Sequence, residues 1–450
     1  MSTGILAAQQ QDAAPLHYSD LVEYYHRAGR PRADWRIGAE FEKFALCRQT
    51  GRQRGYSEPG GIAATLQALH ERFGWQAHYE ADALTALSRG ETTISIEPGA
   101  QLELSTAPAA TVHAIAAELT EHIRQLYAVT DPAATAWVAL GATPITPTEQ
   151  IELNPRPRHR LMAQYLPKRS PTALDMMKAT ASTQITVDYS DEADAARKMT
   201  VALHLGPLVN AIWANSPLVQ GRAAGVVSHR GCIWQGMDPD RSGLLVPLLQ
   251  SGVSFAQWVD YLLDVPMMFV CRAGRFYPVE GCTFRDFLHQ GIDGRYPTAA
   301  DWELHQTTVF PEVRLKRFIE IRGADAAPQP VAVGAVAFWK GLLYDRDTLE
   351  QAYEIAQSLP AETLPAIYSQ TLTRGLDAVV HDRSVRDWCV ELVALADEGL
   401  QRQGAGEQEY LVPLWEIVES GRSPGMRLAE YATRTQPTVS GILAACEYAL

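Results

Sequence analysis

Three segments far apart in this 450-residue chain alternate carboxylates with apolar residues at a period of two, and that alternation most constrains the fold. Side chains two apart on a strand share a face. In Gly38-Ala-Glu-Phe-Glu-Lys-Phe44, Glu40 and Glu42 therefore face together, with Phe41 and Lys43 opposite. In Thr93 to Ser105 a strand breaks at Pro98-Gly99 just after Glu97, then resumes with Gln101, Glu103 and Ser105 on one face and Leu102 and Leu104 on the other. In a late strand read over Val309 to Arg322, Arg314, Lys316, Phe318, Glu320 and Arg322 share a face, and Val313, Leu315, Ile319 and Ile321 contribute its apolar back. Segments of this kind need one sheet with a packed side and a polar side.

The intervening residues supply helices to cover the packed side. Ile62, Leu66, Leu69 and Phe73 recur at helical spacing, as do Val112, Ile115, Leu119, Ile123 and Leu126 within Thr111 to Val129. Short strands are expected at Ala136 to Ala142, Ser182 to Tyr189 and Met267 to Cys271, with helices at Ala193 to Ala214 and Phe255 to Leu263. A segment carrying Pro144, Pro147, Pro155 and Pro157 reads as irregular. From about Val331 onward, alanine- and leucine-rich helices dominate. Strands and helices do not alternate strictly, so the class is α+β with a largely antiparallel sheet. Residues 1–16 read as a disordered tail and 17–450 as a single domain with a helical C-terminal part.

A formal net charge of −13 argues against nucleic acid or an acidic membrane as the main partner. No apolar run reaches the roughly 18 residues that span a bilayer. The N-terminus lacks the basic and apolar regions of a secretory signal, and six scattered cysteines read as reduced thiols. The compartment expected from these features is the cytoplasm.

If the polar faces meet, Glu40, Glu42, Glu97, Glu103 and Glu320 crowd together and cannot all stay ionised without counterions. Magnesium suits such a set because it prefers carboxylate oxygen and keeps positions for water and phosphate. Neighbouring arginines and a lysine would then neutralise charge during phosphoryl transfer. By pattern alone a solvated edge strand remains the competing explanation. No glycine-rich phosphate loop, dinucleotide fingerprint, zinc-protease helix or serine elbow occurs in the sequence, and the twelve histidines show no ligand spacing.

Longer stretches around these residues carry a resemblance. Residues 36–44 (RIGAEFEKF), 92–108 (TTISIEPGAQLELSTAP), 165–177, 238–245, 258–270, 310–325 and 337–345 match, in order, glutamate–cysteine ligase of the plant and proteobacterial type. The resemblance implies an antiparallel sheet curled into a cup with outer helices, akin to the glutamine synthetase catalytic fold. It also implies ATP- and magnesium-dependent phosphorylation of the glutamate side chain, then attack by the amine of L-cysteine to give γ-glutamylcysteine for a thiol such as glutathione. By its motifs, Glu40, Glu42, Glu97, Glu103 and Glu320 would hold magnesium. Arg322 and Lys316 would contact the phosphates, Arg230 would grip L-glutamate, and Gln184 and Trp234 would line the amino-acid pocket. The expected partners are these small molecules alone, bound to a monomer or homodimer.

The chain departs from that pattern at Phe41, Thr186 and Gly231-Cys232, where the relatives usually carry histidine, asparagine and serine-histidine. Phe41 is expected to point away from the carboxylates, whereas changes near the amino-acid pocket bear on the acceptor amine. Cys282 matches half of a regulatory disulfide of plant relatives, but Gly291 to Pro297 offers no second cysteine, so that switch is expected to be absent. A ligase for another amine and a non-catalytic metabolite-binding relative remain the alternatives.

Overall fold

The computed structural model describes residues 16–449, so the expected N-terminal tail lies outside the described residues apart from Leu16. Alternation of carboxylate and apolar side chains becomes one antiparallel sheet of nine strands. They are β1 (Ile37–Cys47), β2 (Gln76–Glu80), β3 (Ala83–Arg89), β4 (Thr92–Ile96), β5 (Leu102–Ser105), β6 (Thr135–Val138), β7 (Ser182–Val187), β8 (Val313–Leu315) and β9 (Ile319–Asp325). Their order is β8-β9-β7-β1-β5-β4-β3-β2, with β6 pairing the second half of β1, and it does not close into a barrel. The expected α+β class and antiparallel sheet are thus present.

Phe41, Leu102, Leu104, Ile185 and Ile319 form the apolar side and are all buried. Phe41 therefore lies behind the carboxylates, as its position in the alternation requires. Helices α1 (Ile62–Phe73), α2 (Val112–Val129), α3 (Pro157–Tyr165), α4 (Ala173–Ala179), α5 (Glu192–Val209), α6 (His229–Gln235), α7 (Gln329–Tyr344) and α8 (Val385–Gln403) surround it. The expected C-terminal helices pack where the sequence places them: α7 lies across β1 and β7, and α8 lies against α7. A buried ion pair fastens this layer, with Lys340 Nζ 2.6 Å from Glu407 Oε2. Glu407 Oε1 also accepts from the Val112 backbone N–H at 2.6 Å, which ties the start of α2 to the same pair.

Helices α7 and α8 cross at two glycines. A Cβ on Gly341 would stand 2.2 Å from the Ala396 carbonyl oxygen, and one on Gly399 would stand 2.1 Å from the Gly341 oxygen. Backbone rather than a flexible side chain blocks each position. Gly399→Ala is expected to lower unfolding stability by about 1–3 kcal/mol, read by chemical denaturation. An unchanged midpoint would show that the crossing has slack.

One strand differs from expectation in a way that shapes the site. The segment read as a single strand from Val309 to Arg322 is a tight hairpin, with Arg314 opposite Glu320 and Val313 opposite Ile321. The Lys316 backbone N–H reaches back to the Phe318 carbonyl at 2.8 Å and closes the turn. Folding over preserves the shared face of Arg314 and Glu320 but removes Phe318 from it. Helices α3 and α6 and the β2–β3 hairpin are additional elements. Pro157 sits in the first turn of α3, where its missing N–H costs nothing.

Candidate active site

The polar side of β1, β5, β7, β8 and β9 forms one wall of a deep pocket, completed by α3, α4 and α6. Every sequence-selected site residue lines it: Glu40, Glu42, Glu97, Glu103, Gln184, Arg230, Trp234, Lys316, Glu320 and Arg322. Glu97 stands on the turn between β4 and β5, where Ala100 takes a left-handed conformation (φ 65°). Gly99 in that turn passes so close to α4 that a Cβ would lie 2.2 Å from the Lys178 carbonyl oxygen.

Charge divides the pocket in two. At the acidic end Glu42 and Glu103 are directly opposite on neighbouring strands, a pairing that repels when both are ionised. Burial and then Glu103 push the Glu42 carboxyl up to about 7. Burial and then Glu42 push Glu97 up to about 7. For Glu103 burial, followed by Glu40 and Glu97, pushes it up to about 8. Neutral donors orient these groups: Ser95 Oγ and Ser105 Oγ donate to Glu103 Oε1 at 3.0 and 2.8 Å. The Ser182 N–H and Gln184 Nε2 donate to Glu42 at 2.6 and 3.0 Å.

At the basic end Glu320 is fully buried among three cations. Arg314 Nη2 lies 2.6 Å and Arg322 Nη1 2.9 Å from its Oε2, while Lys316 Nζ is 2.9 Å from Oε1. Burial opposes ionisation here, but the three cations overcome it and hold the Glu320 carboxyl well below the usual range. Arg322 also donates to Gln184 Oε1, and Gln184 in turn donates to Glu42. Gln184 thus bridges the two ends.

Helix α6 brings Arg230 and Trp234 over the same face. Arg230 Nη2 donates to the Arg322 carbonyl at 2.8 Å, and its Nη1 donates to the Gly323 carbonyl at 3.1 Å. The Arg230 and Arg322 guanidinium carbons lie 5.8 and 6.0 Å from the Trp234 ring centre, within cation–π range. The buried Arg230 Nε and Trp234 Nε1 have no acceptor among the described residues. Two unpaired N–H groups therefore belong to side chains that line the pocket.

Sequence reasoning missed several lining residues, including Arg156, Arg158, His159 and Met162. They belong to the proline-rich stretch read as irregular, and Pro157 at a helix start was the available signal. Arg156 is held by Glu80 at 2.7 Å. Burial and then Arg156 lower Arg158 to about 10, and its buried Nε also has no acceptor among the described residues. Thr186, Gly231 and Cys232 do not line the pocket. Gly231 instead accommodates Leu372, whose Cδ2 would lie 2.1 Å from a Cβ there. These departures leave the pocket wall unchanged.

Among the described residues no three carboxylate, imidazole or thiol groups converge as a ready-made metal cage. The donor chemistry nevertheless fits a hard divalent cation: several buried carboxylates whose charge lacks compensation. Glu320 Oε1 carries the single donor Lys316, which leaves it further accepting capacity.

These raised carboxyls give a measurable signature. Each sits near 7 or 8 in the fold against 4.5 ordinarily, so the fold binds protons that the unfolded chain has released. Their stabilising contribution is complete below about pH 4.5 and is lost as pH rises through 7 to 8. In chelator the melting temperature is expected to fall across that window. Magnesium at a hundredfold excess over its Kd should restore about 2–3 kcal/mol at pH 8, and much less at pH 5. A magnesium effect independent of pH would separate the metal from these carboxylates.

A recessed face on which carboxylates short of cations stand beside cations and N–H groups short of an anion is the working face of an enzyme. The chain belongs to glutamate–cysteine ligase family 2, whose model matches residues 36–444, and so to the ligases. The resemblance carried by the motifs is therefore correct. The chain is 38% identical to the chloroplastic glutamate–cysteine ligase of Nicotiana tabacum over 93% of its length and 80% of that protein. It is 37% identical to chloroplastic glutamate–cysteine ligase A of Oryza sativa subsp. indica, covering 96% of this chain and 88% of that one. The glutamate–cysteine ligase of Francisella tularensis, solved in complex with AMP, shares the fold with a TM-score of 0.57 at 12% identity, over 91% of this chain and 87% of that one.

The relatives correct one expectation. Those from tobacco, tomato, Medicago truncatula, Brassica juncea and rice are all named chloroplastic, so the cytoplasmic assignment does not stand. Compartment is read by receptors from an address, and neither net charge nor reduced cysteines encode it. Among the described residues no helix is long and apolar enough to cross a membrane.

Proposed function

We propose that this protein joins the side-chain carboxylate of L-glutamate to the amine of L-cysteine at the expense of ATP, giving γ-glutamylcysteine. The observation that carries this reading is the division of one pocket into a carboxylate end and a cation end, in a chain of this family. Glu40, Glu42, Glu97, Glu103 and Glu320 would hold magnesium, with Glu320 also keeping Arg314, Lys316 and Arg322 in place. When bound, the metal would neutralise these carboxylates and draw in the anionic phosphates.

The chain's own groups account for the rest. Arg322 and Lys316, fixed by Glu320, face the transferring phosphoryl group and stabilise the charge that spreads over its oxygens. Arg230, gripped by two backbone carbonyls, directs its unsatisfied Nε toward a glutamate carboxylate, for which a guanidinium is matched in shape. Trp234 offers Nε1 beside it, and Gln184 orients Glu42 and Arg322 together. No nucleophilic side chain is needed, because phosphorylation gives the carboxylate its leaving group. The polar face is read as a cup of the glutamine synthetase type, with residues 17–450 acting as one catalytic unit, monomeric or homodimeric. Support comes from five strands and three helices converging on a single pocket.

The decisive measurement is phosphate release with ATP, magnesium and glutamate across cysteine, 2-aminobutyrate, other amino acids and simple amines. Preference for cysteine with the mass of γ-glutamylcysteine is the expected result. Preference for another amine would retain the phosphoryl chemistry and replace the acceptor, and silence with all of them would refute the reading.

A further inference from the structure

The buried carboxylate at the end of β9 belongs to neither half of the pocket. Asp325 is 2% exposed and does not line the cavity. Its Oδ2 accepts from the Asn215 N–H at 2.8 Å and from Ser216 Oγ at 2.7 Å. Its Oδ1 accepts from Ser228 Oγ at 2.9 Å. Both serines hold the first turn of α6. Ser228 is its N-cap and accepts from the Gly231 N–H at 3.1 Å, while Ser216 Oγ accepts from the Arg230 N–H at 3.0 Å. Asp325 Oδ1 also stands 3.9 Å from Arg230 Nη1.

We propose that Asp325 is a positioning residue for glutamate recognition, fixing the first turn of α6 through Ser216 and Ser228 and so aiming Arg230 into the pocket. This rests on the reading of Arg230 as the glutamate contact. An ionised aspartate is suited to the task because it only accepts, which forces both serine hydroxyls to donate to it and leaves their lone pairs for the backbone of α6. The aspartate also packs against a residue without a side chain. Gly141 makes way for it, since a Cβ there would lie 2.4 Å from Asp325 Cγ. Asparagine would present an N–H₂ group to a hydroxyl that must donate, so the turn loosens while the volume is kept.

The test is steady-state kinetics of the full chain with ATP, magnesium and cysteine, varying glutamate. Asp325→Asn is expected to raise the glutamate KM about tenfold while kcat and the ATP KM stay within about twofold. Ser216→Ala, a milder change should Asp325→Asn fold poorly, is expected to raise the glutamate KM about threefold. Added to Arg230→Lys, either substitution should shift the glutamate KM by less than about twofold, because its route through Arg230 is already broken. Full multiplication of the two effects, or equal shifts in the ATP and glutamate KM, would overturn the assignment. If Arg230→Lys alone leaves the glutamate KM unchanged, the Arg230 reading fails first and takes this one with it.

Discussion

Glu320→Gln is expected to abolish turnover and to destabilise the fold at once. Glu320 is fully buried and is ion-paired with Arg314, Lys316 and Arg322 at once. Its amide replacement would leave three largely buried cations crowded together without their shared carboxylate. Breaking a buried pair from one side costs about 3–5 kcal/mol, because the remaining charge is uncompensated. The catalytic loss should be about a thousandfold, since the cations would no longer be held where charge develops. Thermal melting and phosphate release check the two effects. Sulfate or ATP should recover part of the melting temperature by supplying an anion to the same cations. A variant with wild-type stability and turnover would remove Glu320 from the site altogether.

Arg322→Lys is expected to separate catalysis from stability. Lysine keeps the charge beside Glu320, but its shorter side chain cannot place a donor between Glu320 Oε2 and Gln184 Oε1 as Arg322 Nη1 does. Without the second contact, Gln184 loses its link between the acidic and basic ends of the pocket. kcat should fall by about 10²–10³, with a melting temperature close to that of the parent protein. The measurement is single-turnover phosphate release alongside melting. Equal losses in both would mean that Arg322 is chiefly a structural cation.

Much of this site was legible in the sequence because strand periodicity is a strict code. Spacing alone put Glu40 and Glu42 on one face of their strand with Phe41 opposite, and Glu103 on one face of its own with Leu102 and Leu104 opposite; that the two faces meet is shown by the pairing of β1 with β5. The hairpin at Lys316 to Phe318 was hidden by the same code: folding a strand back on itself leaves Arg314 and Glu320 on the shared face that a continuous strand would give. No glycine or asparagine marks the turn. Local signals also failed around Arg156 and Arg158, where prolines that look disruptive instead start a helix. Helix α6 is short, and beyond its local N-cap Ser228 its first turn is held by Ser216 and Asp325 from other parts of the chain, which a window of sequence does not show. The partner of a residue is set by tertiary contact, which periodicity does not report.

The hairpin of β8 and β9 has a consequence for the order of folding. Arg314, Lys316, Glu320 and Arg322 lie within nine residues and meet across one tight turn, so closing a short loop assembles them. The carboxylate end has the opposite character. Glu42 meets Glu103 across β1 and β5, and it meets Ser182 from 140 residues away. Contacts of such separation are slow to form. The cations of the basic end can therefore take shape while the chain is still largely open, and the cluster of like charges, which favours the fold least, is completed late.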